Sequence, residues 1–293
     1  MQRTFSVSTA DGRTIVVHEA GDPNGRVVVT HHGTPSAGSH YAPHVEDAAE
    51  RGLRLLGIQR PGYGGSSPRP GRTVADMAGD VAAVLDAVGA ERFATWGHSG
   101  GGPHALACAA LLPDRCAAAA AIAGVAPYDA KGLDWLAGQG EQNRLEWEAA
   151  RDGRDALTAF CERDRDEMAN VTGAQLAQAL RTLLSPPDTA AVTDRLGDHL
   201  VAAIDEALQD GVEGWVDDDL AFLAPWGFDP QDAQVPVLLW QGQQDLMVPP
   251  GHGRWLANRI PGVEFRYDED EGHLSLYERH IPDVHAWLGR YTF

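Results

Sequence analysis

The 293-residue sequence has only three cysteines, Cys108, Cys116 and Cys161, and no CxxC pair. An odd, unpaired set argues against a disulfide framework or a zinc knuckle, and the reduced thiols of a cytoplasmic protein are expected. Lysine is scarcer still: Lys131 is the single one, and arginine supplies the other basic side chains. Basic charge as a whole is short, with 23 Lys and Arg against 42 Asp and Glu and a formal net charge of −19. A field of that sign repels phosphate backbones and anionic lipid, so neither a nucleic-acid nor a membrane partner is expected. Long apolar runs are also missing. The stretch Cys116 to Val125 is half the ~20 residues that a membrane span needs. Met1 to Ser6 lead into strand-like sequence without the apolar centre of a signal peptide. Metal-ligand spacing is absent among the histidines, cysteines and carboxylates, so no metal and no organic cofactor is expected. The acidic runs Asp217-Asp218-Asp219 and Asp268-Glu269-Asp270-Glu271 lack the spacing of a calcium loop and are expected on solvated faces.

What remains is an ordinary globular composition, 43% hydrophobic and 22% charged. It suits one large domain or a core with a sizeable insertion. No internal repeat is found. Short apolar runs read as strands over Thr14 to His18, Arg26 to Thr30, Leu53 to Ile58, Phe93 to Gly97 and Ala117 to Val125. Between them, Thr73 is expected to cap a helix through Val88, and a second helix runs from Ser99 to Leu112, before Pro113. From residue 127 to residue 230 the texture becomes helical and polar, and Pro186-Pro187 interrupts it. Strand-like sequence resumes at Val235 to Trp240, followed by a helix (Gly253 to Ile260), a strand (Val263 to Tyr267) and a last helix from about His280 to Arg290. Alternating strands and helices imply an α/β fold with a mostly parallel sheet covered on both faces. The expected division is a core of residues 1–126 and 231–293, with 127–230 as a helical lid. Trp135, Trp147, Trp215 and Trp226 fall in that lid, as lid core with one or two lining an apolar pocket.

Gly97-His98-Ser99-Gly100-Gly101 fits G-x-S-x-G and lies between an expected strand and an expected helix. A sharp turn there holds the serine in strained backbone, and glycines let the chain double back. The helix N-terminus offers N–H groups where an oxyanion would form. Serine needs a base and usually a carboxylate behind it. Asp245 follows one late strand after the short turn Gly242-Gln243-Gln244, and His273 follows the next strand. Asp129 is the alternative acid, after the strand preceding the lid; Asp245 is preferred for its short turn. His31-His32-Gly33-Thr34-Pro35 follows an early strand and is suited to aim the N–H of Thr34 at an oxyanion beside that of Gly100. The His31-His32 pair reads as loop hydrogen bonding, Gly62 to Gly65 as a plain loop, and His98 as a packing residue. His40 and His44 read as surface or pocket-edge residues.

Together these motifs resemble the alpha/beta-hydrolase superfamily over nearly the whole chain, in its lidded branch with haloalkane dehalogenases, epoxide hydrolases and proline iminopeptidases. The resemblance rests on His32-Gly33-Thr34-Pro35, Arg60-Pro61-Gly62-Tyr63-Gly64-Gly65-Ser66, the Ser99 elbow, Gln241 to Asp245 and Gly272-His273. The chain order serine, acid, histidine is also that of the superfamily. It implies an eight-stranded sheet with one antiparallel strand near its start. Dehalogenases and epoxide hydrolases of this fold use an aspartate nucleophile, whereas this elbow carries Ser99. The expected activity is therefore a serine hydrolase cleaving a small ester, lactone, thioester or amide, with Ser99, Asp245 and His273 as triad. Its partner is a small-molecule substrate, and the chain is a monomer or homodimer. Two rivals stand beside this reading. One is an iminopeptidase-like aminopeptidase, which needs lid carboxylates such as Glu141, Glu146 or Glu148 to hold an ammonium group; Thr34-Pro35 replaces the usual glycine pair of that group. The other is a receptor-like member of the superfamily with little turnover.

Overall fold

The computed structural model describes residues 3–169, 171–291 and 293. Eight strands form one sheet: β1 (Arg3–Ser8), β2 (Thr14–Gly21), β3 (Arg26–His31), β4 (Leu53–Ile58), β5 (Phe93–His98), β6 (Cys116–Ile122), β7 (Val237–Gly242) and β8 (Glu264–Asp268). Their order is β1-β2-β4-β3-β5-β6-β7-β8. β2 runs antiparallel to both of its neighbours, and the pairs from β4 to β8 are parallel.

The central strands explain their own composition. Val27, Val28 and Val29 of β3 and all seven residues of β6 are buried, as strands covered on both faces must be. β6 is almost entirely alanine, a poor strand former. Its place between β5 and β7 overrides that propensity, because small side chains let helices approach closely from both sides. On one face lie α1 (Ala42–Glu50) and the last helix; on the other lie α2 (Asp76–Val88) and α3 (Gly102–Leu111). Between β6 and β7 come six helices: α4 (Glu141–Asp152), α5 (Arg154–Met168), α6 (Gly173–Ala179), α7 (Pro186–Ala191), α8 (Asp194–Leu208) and α9 (Glu213–Leu223). The chain closes with α10 (Pro250–Arg259), β8 and α11 (Leu274–Leu288). No helix of the described residues is long and apolar enough to cross a membrane.

Two local expectations need correction, and one helix left no signal to read. Thr73 does not cap α2: its N–H and hydroxyl both donate to Asp76, and the helix begins at Asp76 itself. α11 starts at Leu274, directly after His273, rather than near His280. Pro282 falls inside it, which disguised the helical pattern. α1 gave no clear signal, since its nine residues include Pro43 and only two buried side chains, His44 and Ala48.

Candidate active site

Ser99 ends the climb of β5 and opens the turn into α3 with φ of 56°, a left-handed conformation that costs a non-glycine residue about 1–3 kcal/mol. Close packing enforces it. A Cβ at Gly97 would run into the carbonyl of Gly101, and one at Gly101 into that of His31. The turn therefore tolerates only glycine at these two places and leaves Ser99 facing the cavity.

Asp245 and His273 arrive on the loops after β7 and β8. Asp245 is buried; its Oδ1 accepts the N–H groups of Met247 (2.8 Å) and Val248 (2.7 Å), which orients the carboxylate. Its Oδ2 accepts from His273 Nδ1 at 2.8 Å. Burial, the largest single influence on His273, pushes its pKa down, but the charge and hydrogen bond of Asp245 and the charge of Asp188 outweigh it and hold the imidazole above its ordinary value. Burial likewise raises Asp245, against the opposing pull of His273. Asp129 is exposed and borders a separate surface depression with Lys131 and Trp226. Ser99 and His273 line the same cavity, yet no hydrogen bond joins them among the described residues. Contacts between nucleophile and base commonly tighten only in the Michaelis complex.

The loop after β3 brings Thr34 to the same cavity, next to Gly100. The Thr34 hydroxyl is already committed: it donates to Asp218 Oδ2 (2.8 Å) and accepts from Arg60 Nη2 (2.9 Å). Only its backbone N–H is left for an oxyanion. Arg60 also donates to the carbonyls of His32 (2.5 Å) and Gly33 (2.8 Å) and to Asp218 (2.6 Å). Tyr63 and Arg72 complete the grip on Asp218, each at 2.8 Å. Burial alone would raise Asp218, but the two guanidinium groups hold it well below the carboxylate range. His32 ties the same loop through Gly33 O (2.8 Å) and the N–H of Arg60 (3.2 Å), as loop-holding residues do. His98 packs on the His273 ring and bonds the His273 carbonyl at 3.1 Å.

The expectation of a solvated Asp217-Asp218-Asp219 face is overturned: all three are buried, at 2%, 0% and 1% exposure. They lie on α9 between Trp215-Val216 and Ala221-Phe222, all buried. That apolar flanking on both sides was the available signal of a helix buried all round. The second acidic run is divided, with Glu269 and Asp270 exposed and Glu271 buried against Arg279 (3.0 Å). Arg60 was visible only as part of a motif; its role needed Asp218, 158 residues away.

The cavity is about 200 Å³. Trp147 and Trp215 are on its wall, while Trp135 and Trp226 are buried elsewhere, and His40 and His44 both face it. Of the three glutamates considered for ammonium binding, Glu141 and Glu148 are exposed and Glu146 lines the cavity. Glu146 accepts from Trp215 Nε1 at 2.6 Å and lies beside Asp219. Burial raises the pKa of both carboxyls: Glu146 is pushed to about 7 against the hydrogen bonds of Asp219 and Trp215, and Asp219 is driven higher still, with the charge and hydrogen bond of Glu146 adding to burial.

The family model for the alpha/beta hydrolase fold matches residues 26–280. Epoxide hydrolase B of Mycobacterium tuberculosis is 35% identical over 120 residues, 40% of this chain and 33% of that protein. A probable proline iminopeptidase of Leptolyngbya boryana is 23% identical over 288 residues, 90% of this chain and 86% of that one. The chain spans about a third of the length of the epoxide hydrolases it matches. Among solved structures, a thermophilic esterase from Thermogutta terrifontis superposes with a TM-score of 0.66 at 21% identity, covering 99% of this chain and 98% of that one. That likeness is one of fold.

Proposed function

The chain belongs to the alpha/beta-hydrolase family, and from that premise we propose that it is a serine hydrolase cleaving a small ester or related acyl compound. The observation that carries this reading is the 2.8 Å bond between His273 Nδ1 and Asp245 Oδ2, on the same cavity as a conformationally strained Ser99. Ser99 Oγ attacks the substrate carbonyl while His273 Nε2 takes its proton. Asp245 keeps the other ring proton in place and stabilises the imidazolium. The N–H groups of Thr34 and Gly100 hold the oxyanion, and the leaving group departs with the proton from His273. Water then repeats the sequence on the acyl-enzyme. A serine at the elbow, in place of the aspartate of epoxide hydrolases, supports acyl transfer, and the small cavity supports a small acyl group.

The test is turnover of p-nitrophenyl acetate and butyrate. Ser99→Ala is expected to lower kcat by roughly 10⁴ to 10⁶, with a fluorophosphonate adduct found on Ser99 of the wild type. Asp245→Asn is expected to lose about 10⁴, while Asp129→Asn stays within roughly tenfold, because Asp129 sits in an exposed turn away from the cavity. A Ser99→Ala protein of near-full activity would sink the reading. A burst without turnover in the wild type would favour a receptor.

A second reading is favoured by one observation, the carboxyls of Glu146 and Asp219 on a cavity wall that has no Lys or Arg among its described lining residues. Such a wall suits a substrate bearing an ammonium group, as in aminopeptidase chemistry. Matched esters ending in methyl or in ammonium decide it: equal kcat/KM for the two removes this reading and leaves the first.

A further inference from the structure

The helix that follows His273 begins in an unusual way. His273 is itself the N-cap residue of α11, and no side chain at that position caps the helix. Its imidazole cannot serve, because Nδ1 is held by Asp245. The first N–H groups of a buried helix must nevertheless find acceptors. They find one in the insertion between β6 and β7. Asp188 of α7, fully buried, accepts from Leu274 N (2.7 Å) and Ser275 N (2.9 Å) through Oδ1. Its Oδ2 accepts from the Ser185 hydroxyl at 2.8 Å. On the helix side, Ser275 Oγ takes the N–H of Gly272 at 2.8 Å. A Cβ at Gly272 would strike both Asp188 and Ser185, so the loop carrying His273 is pressed directly onto α7.

We propose that Asp188 is a positioning residue, through which the helical insertion seats His273. The proposal rests on the hydrolase reading above. The carboxylate acts twice: as an external cap it fixes where α11 starts, and hence where the ring sits; as a buried negative charge it favours the imidazolium that forms during catalysis. The groups around His273 from the packed elements are Asp245 after β7, Asp188 on α7 and His98 at the end of β5, with Tyr277 of α11 packed on the His98 ring. Burial keeps His98 neutral by lowering its pKa and keeps Tyr277 neutral by raising its own. Asp245 and Asp188 are thus the two charges that hold the histidine up. The consequence is an interlock: an insertion that swings away takes the cap with it, and His273 loses its seat.

Asp188→Asn and Asp188→Ala separate the two actions. Asparagine keeps an acceptor for the helix amides but removes the charge, so the acidic limb of kcat/KM should move to lower pH by about half a unit to one unit. Alanine removes both, and kcat should fall about tenfold or more with KM within twofold. Ser185→Ala, a milder change that frees Oδ2, should move the limb in the direction opposite to Asp188→Asn or leave it, since the charge remains. Fluorophosphonate labelling of Ser99 is followed in every protein. If the wild type neither labels nor turns over, the hydrolase reading fails. If the wild type is active and the Asp188 variants melt earlier but keep its pH profile and kcat, Asp188 is a structural cap only and the proposal is overturned. Should Asp188→Ala not fold, the pH profile of Asp188→Asn alone separates the two outcomes: a shifted acidic limb supports the positioning role, and an unshifted one overturns it.

Discussion

Asp218 and Asp219 are neighbours on α9, both essentially inaccessible to solvent, and they behave in opposite ways. Asp218 is met by Arg60 and Arg72 and accepts from Tyr63 and Thr34. Its charge is neutralised at short range, and its pKa is held far down despite burial. Asp219 turns to the cavity, where it meets another acid, Glu146, and burial with that neighbour drives its pKa up. Asp219 Oδ2 has no hydrogen-bond partner among the described residues. Burial alone therefore says nothing about whether a carboxylate is ionised; the partner does. One acid bolts the loop after β3 to α9, and the other remains on the cavity wall.

The contrast can be broken at its strong side first. Asp218→Asn leaves Arg60 and Arg72 with an uncompensated buried charge, so a loss of about 3–5 kcal/mol in unfolding free energy is expected. Urea denaturation checks it; a loss below 1 kcal/mol would mean that the two arginines find other partners. At the weak side the sign reverses. The folded state holds Asp219 and Glu146 protonated to higher pH than the unfolded chain does. As pH rises from the ordinary carboxylate range through neutrality, the native state binds more protons than the unfolded one, and wild-type stability falls. Asp219→Asn removes that slope. Its melting temperature should rise relative to the wild type as the buffer goes from pH 5 to pH 8; a constant difference would show that the pair is not protonated in the folded state.

Thr34 sharpens the comparison with a smaller effect, because its hydroxyl touches only the strong side. Thr34→Val deletes one donor to Asp218 and should cost about 1 kcal/mol of stability, with kcat within tenfold since the backbone N–H remains. A kcat loss near 10³ would identify the hydroxyl as an oxyanion donor. The smallest effect expected is none: among the described residues no group of three or more His, Cys, Asp or Glu is arranged to hold a metal ion, so exhaustive chelation should leave ester turnover unchanged. Activity lost to chelator and restored by zinc would reassign the chemistry.

Much of the architecture was legible along the chain, because its signals are local. Strand and helix periods, the glycines around Ser99 and the short turn before Asp245 depend on residues a few places apart, and the alternation of elements implied a covered parallel sheet. Boundaries were less legible where one residue type has two meanings. His273 reads as a loop residue, although α11 begins immediately after it, because the cap that permits this comes from Asp188, 86 residues before Leu274. The acidic triplet reads as a solvated face, because the compensation of its central Asp218 comes from Arg60 and Arg72, far earlier in the chain.

The sequence by itself determined the fold class and which residue types were on offer: one serine in a turn that only glycines allow, one aspartate after a late strand, one histidine after the next. Tertiary structure decided which acid meets the histidine, which threonine atom remains for an oxyanion, and which of two neighbouring aspartates has its pKa held down and which has it driven up. The division has a physical cause. Backbone preference acts over a few bonds and is written locally, whereas desolvation and charge pairing act through space and are set by whichever elements the fold brings into contact.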